Sequence, residues 1–150
     1  MAYLVKSELK SVIRLYELDA ITAEDDGIVE EAIAKAIEKA ANILTPNDKL
    51  EWYDGRILYD APAIFAAEGS ARNLLVLGYV KSITLYFICE LYNIGADYKD
   101  VQDRYDRAEG DLKDLASGVT NSSTLPRLTT APPEEKESFY MGSRRKFNHE

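Results

Sequence analysis

Apolar side chains recur at helical spacing along most of this chain. In GIVEEAIAKAIEKAANIL, residues 27–44, Val29, Ile33, Ile37, Ala40 and Leu44 form one stripe, and Glu31, Lys35, Glu38 and Lys39 lie on the solvated side. Ala32, Ala36, Ala40 and Ala41 are small enough to let another helix approach closely, and Thr45-Pro46-Asn47-Asp48 ends the element. A later helix is expected from near Asp97. There Val101, Tyr105, Ala108, Leu112 and Leu115 share a stripe, Asp103, Arg107, Asp111 and Asp114 face water, and Gly118 sits at the C′ position. That pattern predicts a bundled helix and is too short for an extended coiled coil.

The remaining elements are read from weaker signals. Ser7 is expected to cap a first helix with Leu9, Val12, Ile13 and Tyr16 on one face, followed by an acidic connection over 19–27. Asp60 caps another helix with Pro62 just inside its start. Apolar residues then continue on all sides to Ile94, which suggests a central helix covered by neighbours, with Gly69 or Gly78 marking breaks or close contacts. Between Lys49 and Asp60, Trp52, Tyr53 and Tyr59 flank Asp54-Gly55, in either a short hairpin or an irregular loop.

Composition changes at Ser117. Pro126, Pro132 and Pro133, with many Ser and Thr, exclude a long helix up to Pro133. The expected fold class is therefore mainly α: a small bundle of about four helices with an irregular aromatic loop and an extended Pro/Ser/Thr-rich C-terminal tail. The division is a helical domain over 1–116 and an arm over 117–150 that docks on a partner subunit. Phe139, Tyr140, Met141 and Phe147 are the arm's candidate anchors, and Arg144, Arg145 and Lys146 seek carboxylates or nucleic acid.

Charge narrows the function. The 150 residues carry a formal net charge of −8. The arm holds five basic residues (Arg127, Lys136, Arg144, Arg145, Lys146) against four Glu (134, 135, 137, 150), a balance of +1 that leaves −9 on the body. Such a body argues against a nucleic-acid-binding domain, which relies on clustered Lys and Arg. The apolar stretch from Ala71 to Tyr92 is interrupted by Arg72, Lys81 and Glu90 and reads as a buried helix, not a membrane span. No signal-peptide core opens the sequence, so a reducing cytosol, or a particle assembled there, is the expected compartment.

Catalytic chemistry finds little support, and a structural protein is expected, not an enzyme. His149 is the only histidine and stands next to the last residue, so no His-based triad or Cys/His zinc set is available. Cys89, the only cysteine, reads as a small buried hydrophobe. Glu24, Asp25 and Asp26 lack the alternation of a calcium loop. Neither a metal nor a cofactor is expected. Glu90, set among apolar residues, would need a partner if buried, and Arg104 or Arg72 is the expected one. Ten tyrosines offer rigid amphipathic contact area suited to protein interfaces.

Several stretches carry a resemblance. They are the opening Tyr3-Leu4-Val5-Lys6-Ser7-Glu8-Leu9, the run from Asp26 to Ala41, the apolar helix up to Tyr92, and VQDRYDRAEGDLKDLASGV, with SRRKFNHE at the end. In this order they resemble the Mu-like phage neck (head–tail joining or adaptor) family, similar in kind to the ring-forming head–tail connectors of lambdoid phages. Val101, Arg104, Tyr105, Ala108, Leu112, Leu115, Ala116 and Gly118 occupy the matching positions of the family's most distinctive block. The resemblance implies a virion protein of the neck, assembled in the host cytoplasm as a homo-oligomeric ring of about twelve copies. The ring would join the portal protein to the next neck or tail component, and DNA would pass through it without sequence-specific binding. Arg104, Tyr105 and Arg107 are then candidate intersubunit residues, and Phe139, Tyr140, Arg144, Arg145 and Phe147 candidate docking residues of the arm. The alternative is a small helical adaptor or regulatory binding protein acting as a monomer or dimer.

Overall fold

An acidic residue that ends a left-handed turn starts the first long amphipathic helix. Ala23 and Glu24 both have positive φ, and the Asp25 carboxylate then accepts from the Gly27 N–H at 2.9 Å. From there α2 (Asp26–Leu44) runs its full expected length and buries Val29, Ala32, Ile33, Ala36, Ala40 and Leu44. The computed structural model describes residues 2–46, 55–91 and 98–128, and among these no β-strand forms; the chain is mainly helical.

The N-terminal region differs from expectation. Lys6–Ser11 is a 3₁₀ turn, not an α-helix, and Val5, not Ser7, precedes it. The carbonyl of Leu9 accepts from both Val12 and Ile13, which closes the turn. The chain then extends through Arg14 into α1 (Leu15–Thr22). The expected acidic connection over 19–27 is thus mostly helix, with only 23–25 between α1 and α2. Tyr16, read as a core-facing residue, is exposed, because α1 turns Leu18 and Thr22 inward instead. The buried Thr22 hydroxyl donates to the Leu18 carbonyl at 3.0 Å, so it enters the core satisfied.

The long apolar run is two helices. The Asp60 carboxylate accepts from Ala63 N–H at 3.0 Å and caps α3 (Ala61–Ala66), with Pro62 in its first turn. The chain breaks over 67–73 through a 3₁₀ turn at Gly69–Ala71, where Gly69 has φ +55°. Gly78 breaks nothing and lies inside α4 (Leu74–Leu91). Asn73 starts that helix: its side-chain oxygen accepts from Leu75 and Val76 N–H at 3.0 and 3.1 Å.

α4 is the centre of the bundle. It packs against α2, α5 (Tyr98–Ser117) and α1, and it buries Val76, Val80, Ile83, Thr84, Leu85 and Ile88. The small face of α2 at Ala32, Ala36 and Ala40 permits the close α2–α4 approach. α5 turns Ala108 and Leu112 fully inward with Val101, Tyr105 and Leu115 partly covered, and Gly118 follows it at φ +82°.

The chain after α5 returns to the body. Leu125 is buried in the same core. Asp60 N–H donates to Pro126 O at 3.0 Å and Leu128 N–H to Leu58 O at 2.9 Å, an antiparallel bridge of Tyr59 with Arg127. The buried Tyr59 hydroxyl accepts from Ser122 N–H at 2.7 Å, and Asn73 Nδ2 donates to Thr124 Oγ1 at 2.8 Å. Residues 119–128 of the expected arm therefore lie against the helices. Trp52, Tyr53 and Asp54 of the aromatic loop fall outside the described residues.

Candidate interaction surface

Of the residues expected to mediate contact, three lie on α5. Arg104 and Arg107 project from its exposed side: Arg104 reaches the Val12 carbonyl at 3.4 Å, and Arg107 Nε donates to Asp103 O at 3.2 Å. Among the described residues, no ion pair joins either arginine to a carboxylate.

Tyr105 is committed within the chain. Its ring stacks on Tyr86 with centroids 4.1 Å apart, Lys39 donates to its hydroxyl, and the same ammonium lies 4.9 Å from its ring centre. Burial works against the Lys39 charge, yet the bonds to Tyr105 and Glu109 hold its pKa above the ordinary lysine value. Glu109, despite its own partial burial, is held below the usual carboxylate range by Lys113 and Lys39. The arrangement ties α2 to α5 and leaves little of Tyr105 for a partner. Phe139, Tyr140, Arg144, Arg145 and Phe147 lie outside the described residues.

Glu90 is exposed on α4, so it makes no demand for a buried partner. Arg72, one of its expected partners, instead grips Glu8. Cys89 is buried, and burial raises its thiol pKa, which leaves it a poor nucleophile at neutral pH. It lines a cleft of about 480 Å³ between α1, α4 and α5, whose rim carries Glu17, Asp100 and Arg104. Among the described residues, no cluster of three or more His, Cys, Asp or Glu is placed to hold a metal ion. No described helix is long and apolar enough to cross a membrane.

Two surface features escaped the sequence pattern. Leu74 and Leu75 open α4 largely exposed, at 80 % and 69 %, and border a groove of about 640 Å³ between α4 and α5. Lys81, Arg104 and Arg107 also line it, against one carboxylate among the described residues, Asp111. On the outer side of α1, Tyr16 is 67 % exposed beside Glu17 and Glu24. The two leucines were hidden in a run that is apolar on every side, where periodicity cannot tell inner from outer. No protein-family model, no curated protein and no solved structure matches this chain.

Proposed function

We propose that this chain is a structural protein of a phage neck: a ring of about twelve copies that joins the portal to the tail and lines the DNA channel. What carries the reading is the block VQDRYDRAEGDLKDLASGV. It holds the most distinctive part of the family likeness, and it folds as α5, ended by Gly118 in the left-handed region. Its apolar stripe faces the bundle, and Arg104 and Arg107 stand outward with no ion pair to a carboxylate among the described residues. Arginines so placed suit pairing across a subunit boundary. A net charge of −8 is favourable for a channel wall, since DNA has to slide past without being gripped.

In this reading residues 129–150 form the docking arm, with Phe139, Tyr140 and Phe147 as apolar anchors and Arg144 and Arg145 as charged ones. Light scattering of the untagged protein over a wide concentration range, alone and with its portal protein, tests the proposal. A mass of about twelve copies, alone or only with portal, supports it. A monomer or dimer at every concentration that ignores the portal overturns it in favour of a free adaptor. For the arm, Phe139→Ala with Phe147→Ala is expected to weaken portal or ring capture in a pull-down while helical content stays constant. Unchanged capture removes the arm from the reading.

A further inference from the structure

We propose that the leucine-edged basic groove between α4 and α5 receives the acidic outer ridge of α1 from a second copy of this chain. The groove joins two features that a solitary acidic domain has no reason to combine. Adjacent large apolar side chains, Leu74 and Leu75, stand exposed at its edge, where scattered single exposures are the norm. Three cations, Lys81, Arg104 and Arg107, line it in a chain whose net charge is −8. Among its described lining residues Asp111 is the one carboxylate.

The same chain carries the complementary surface. Lys6 neutralises Asp19 and Asp26, each at 2.6 Å, but among the described residues neither Glu17 nor Glu24 is in an ion pair. Glu17 accepts from Tyr16 at 3.3 Å, and Ala20 separates the two glutamates on the exposed side of α1. The left-handed pair Ala23 and Glu24 ends α1 and carries the second glutamate out at the turn. An aromatic knob flanked by two carboxylates thus faces outward, and an apolar-edged slot flanked by arginines waits for such a knob. Tyrosine and arginine are the side chains that protein interfaces favour.

Charge selects a second copy as the occupant. Copies of an acidic chain repel one another unless opposite patches meet, and here the opposite patches are neighbouring surfaces of one molecule, adjoining at the cleft whose rim Glu17 and Arg104 share. Groove and ridge form a heterologous contact, the kind that closes into a ring when its rotation permits. Closure rests on the neck reading, whereas the contact rests on the two surfaces alone.

Charge exchange tests the contact. One variant carries Arg104→Glu and Arg107→Glu, the other Glu17→Lys and Glu24→Lys; all four side chains are exposed. Light scattering is expected to show assembly of the wild type, at least about tenfold weaker assembly of each variant alone, and recovery of the wild-type mass in an equimolar mixture. In the mixture every groove again meets a ridge of opposite charge. Circular dichroism verifies that each variant keeps its helices. Leu74→Ser with Leu75→Ser, which leaves the charges alone, is expected to weaken assembly as well. A variant that assembles alone like the wild type overturns the contact but leaves the ring standing. A wild type that stays monomeric in isolation also overturns it, and in that case capture by the portal still decides the neck reading.

Discussion

Arg72 holds both carboxylate oxygens of Glu8, at 2.6 and 2.9 Å, across sixty-four positions of sequence. The same guanidinium donates to Tyr3 O at 2.6 Å and to Gly69 O at 3.0 Å. Glu8 in turn accepts from Val5 N–H at 3.2 Å. One fork therefore joins the N-terminal lead, the first 3₁₀ turn and the break before α4. This explains how a chain with only a short 3₁₀ turn over 67–73 enters α4 in a fixed direction.

Glu8→Gln is expected to destabilise the fold by about 1–3 kcal/mol, since it removes a charge-assisted bidentate pair and leaves Arg72 half-buried. The bond from Arg72 holds the Glu8 pKa down to about 2, against an ordinary value of 4.5, although burial opposes it. The folded-state pKa is depressed, so the contribution is complete above 4.5 and is lost as pH falls from there toward about 2. Denaturation of wild type and Glu8→Gln across that window measures it. A stability difference that does not shrink toward low pH would remove the pair from the account.

Tyr3 makes the opposite prediction. Its ring packs edge-on to Phe65 with centroids 5.0 Å apart, and its hydroxyl is buried without a hydrogen-bond partner among the described residues. Burial pushes its pKa up to about 12. Tyr3→Phe keeps the ring and deletes the unpaired hydroxyl, so stability is expected to hold or to rise by up to about 1 kcal/mol. A loss of more than that in urea denaturation would show that the hydroxyl has a partner.

The family likeness marks Tyr105 as an interface residue, and its contacts within the chain predict a different phenotype. Tyr105→Phe loses the Lys39 bond and is expected to cost about 0.5–1.5 kcal/mol. Tyr105→Ala also loses the Tyr86 stack and is expected to cost about 2–4 kcal/mol. Both show in thermal melts. The Phe variant should assemble as the wild type does, and a selective loss of assembly would return the residue to the interface.

How far the sequence revealed this fold depended on amphipathicity. α2 and α5 were legible because each has one apolar stripe and one charged side, so spacing alone located them and their buried residues. α4 was legible only as a long apolar stretch: the start at Asn73 depends on a side-chain cap, and the break before it on an arginine that reaches back to Glu8. The N-terminal helix was misread because the spacing of Leu9, Val12, Ile13 and Tyr16 continues through a turn that local hydrogen bonds at Leu9 close. The same limits applied to the surface. Spacing puts Tyr105 on the apolar stripe of α5 and Arg107 on its water-facing side, and only the family likeness groups Tyr105 with Arg104 and Arg107 as contact residues; nothing in the spacing shows Leu74 and Leu75 to be exposed.

Two glycines in or just after α5 are expected to respond with opposite signs. Gly118 holds φ +82°, and an added Cβ would come within 3.1 Å of the Arg56 Cβ. Gly118→Ala is therefore expected to cost about 1–2 kcal/mol. Gly110 lies within α5 in ordinary helical backbone, with open space where a Cβ would stand. Gly110→Ala is expected to stabilise by about 0.5–1 kcal/mol. Equal effects of the two in chemical denaturation would contradict the left-handed end of α5.

Truncation locates the end of the folded body. Leu125 is 5 % exposed, the Tyr59 hydroxyl accepts from Ser122, and the Leu58 and Asp60 backbones pair with 126–128. A chain ended after Gly118 loses all of these: a buried leucine, a buried hydroxyl's partner and two backbone bonds. The expected loss is about 3–5 kcal/mol, enough to lower the melting temperature by well over ten degrees in a domain this size. A chain ended after Leu128 keeps every one of them and should melt close to the full-length protein. If assembly or portal capture fails in that second chain while its stability holds, residues 129–150 carry docking and not folding. If both truncations melt alike, the return of 119–128 to the helices contributes nothing to the fold, and the structural boundary moves back to the end of α5.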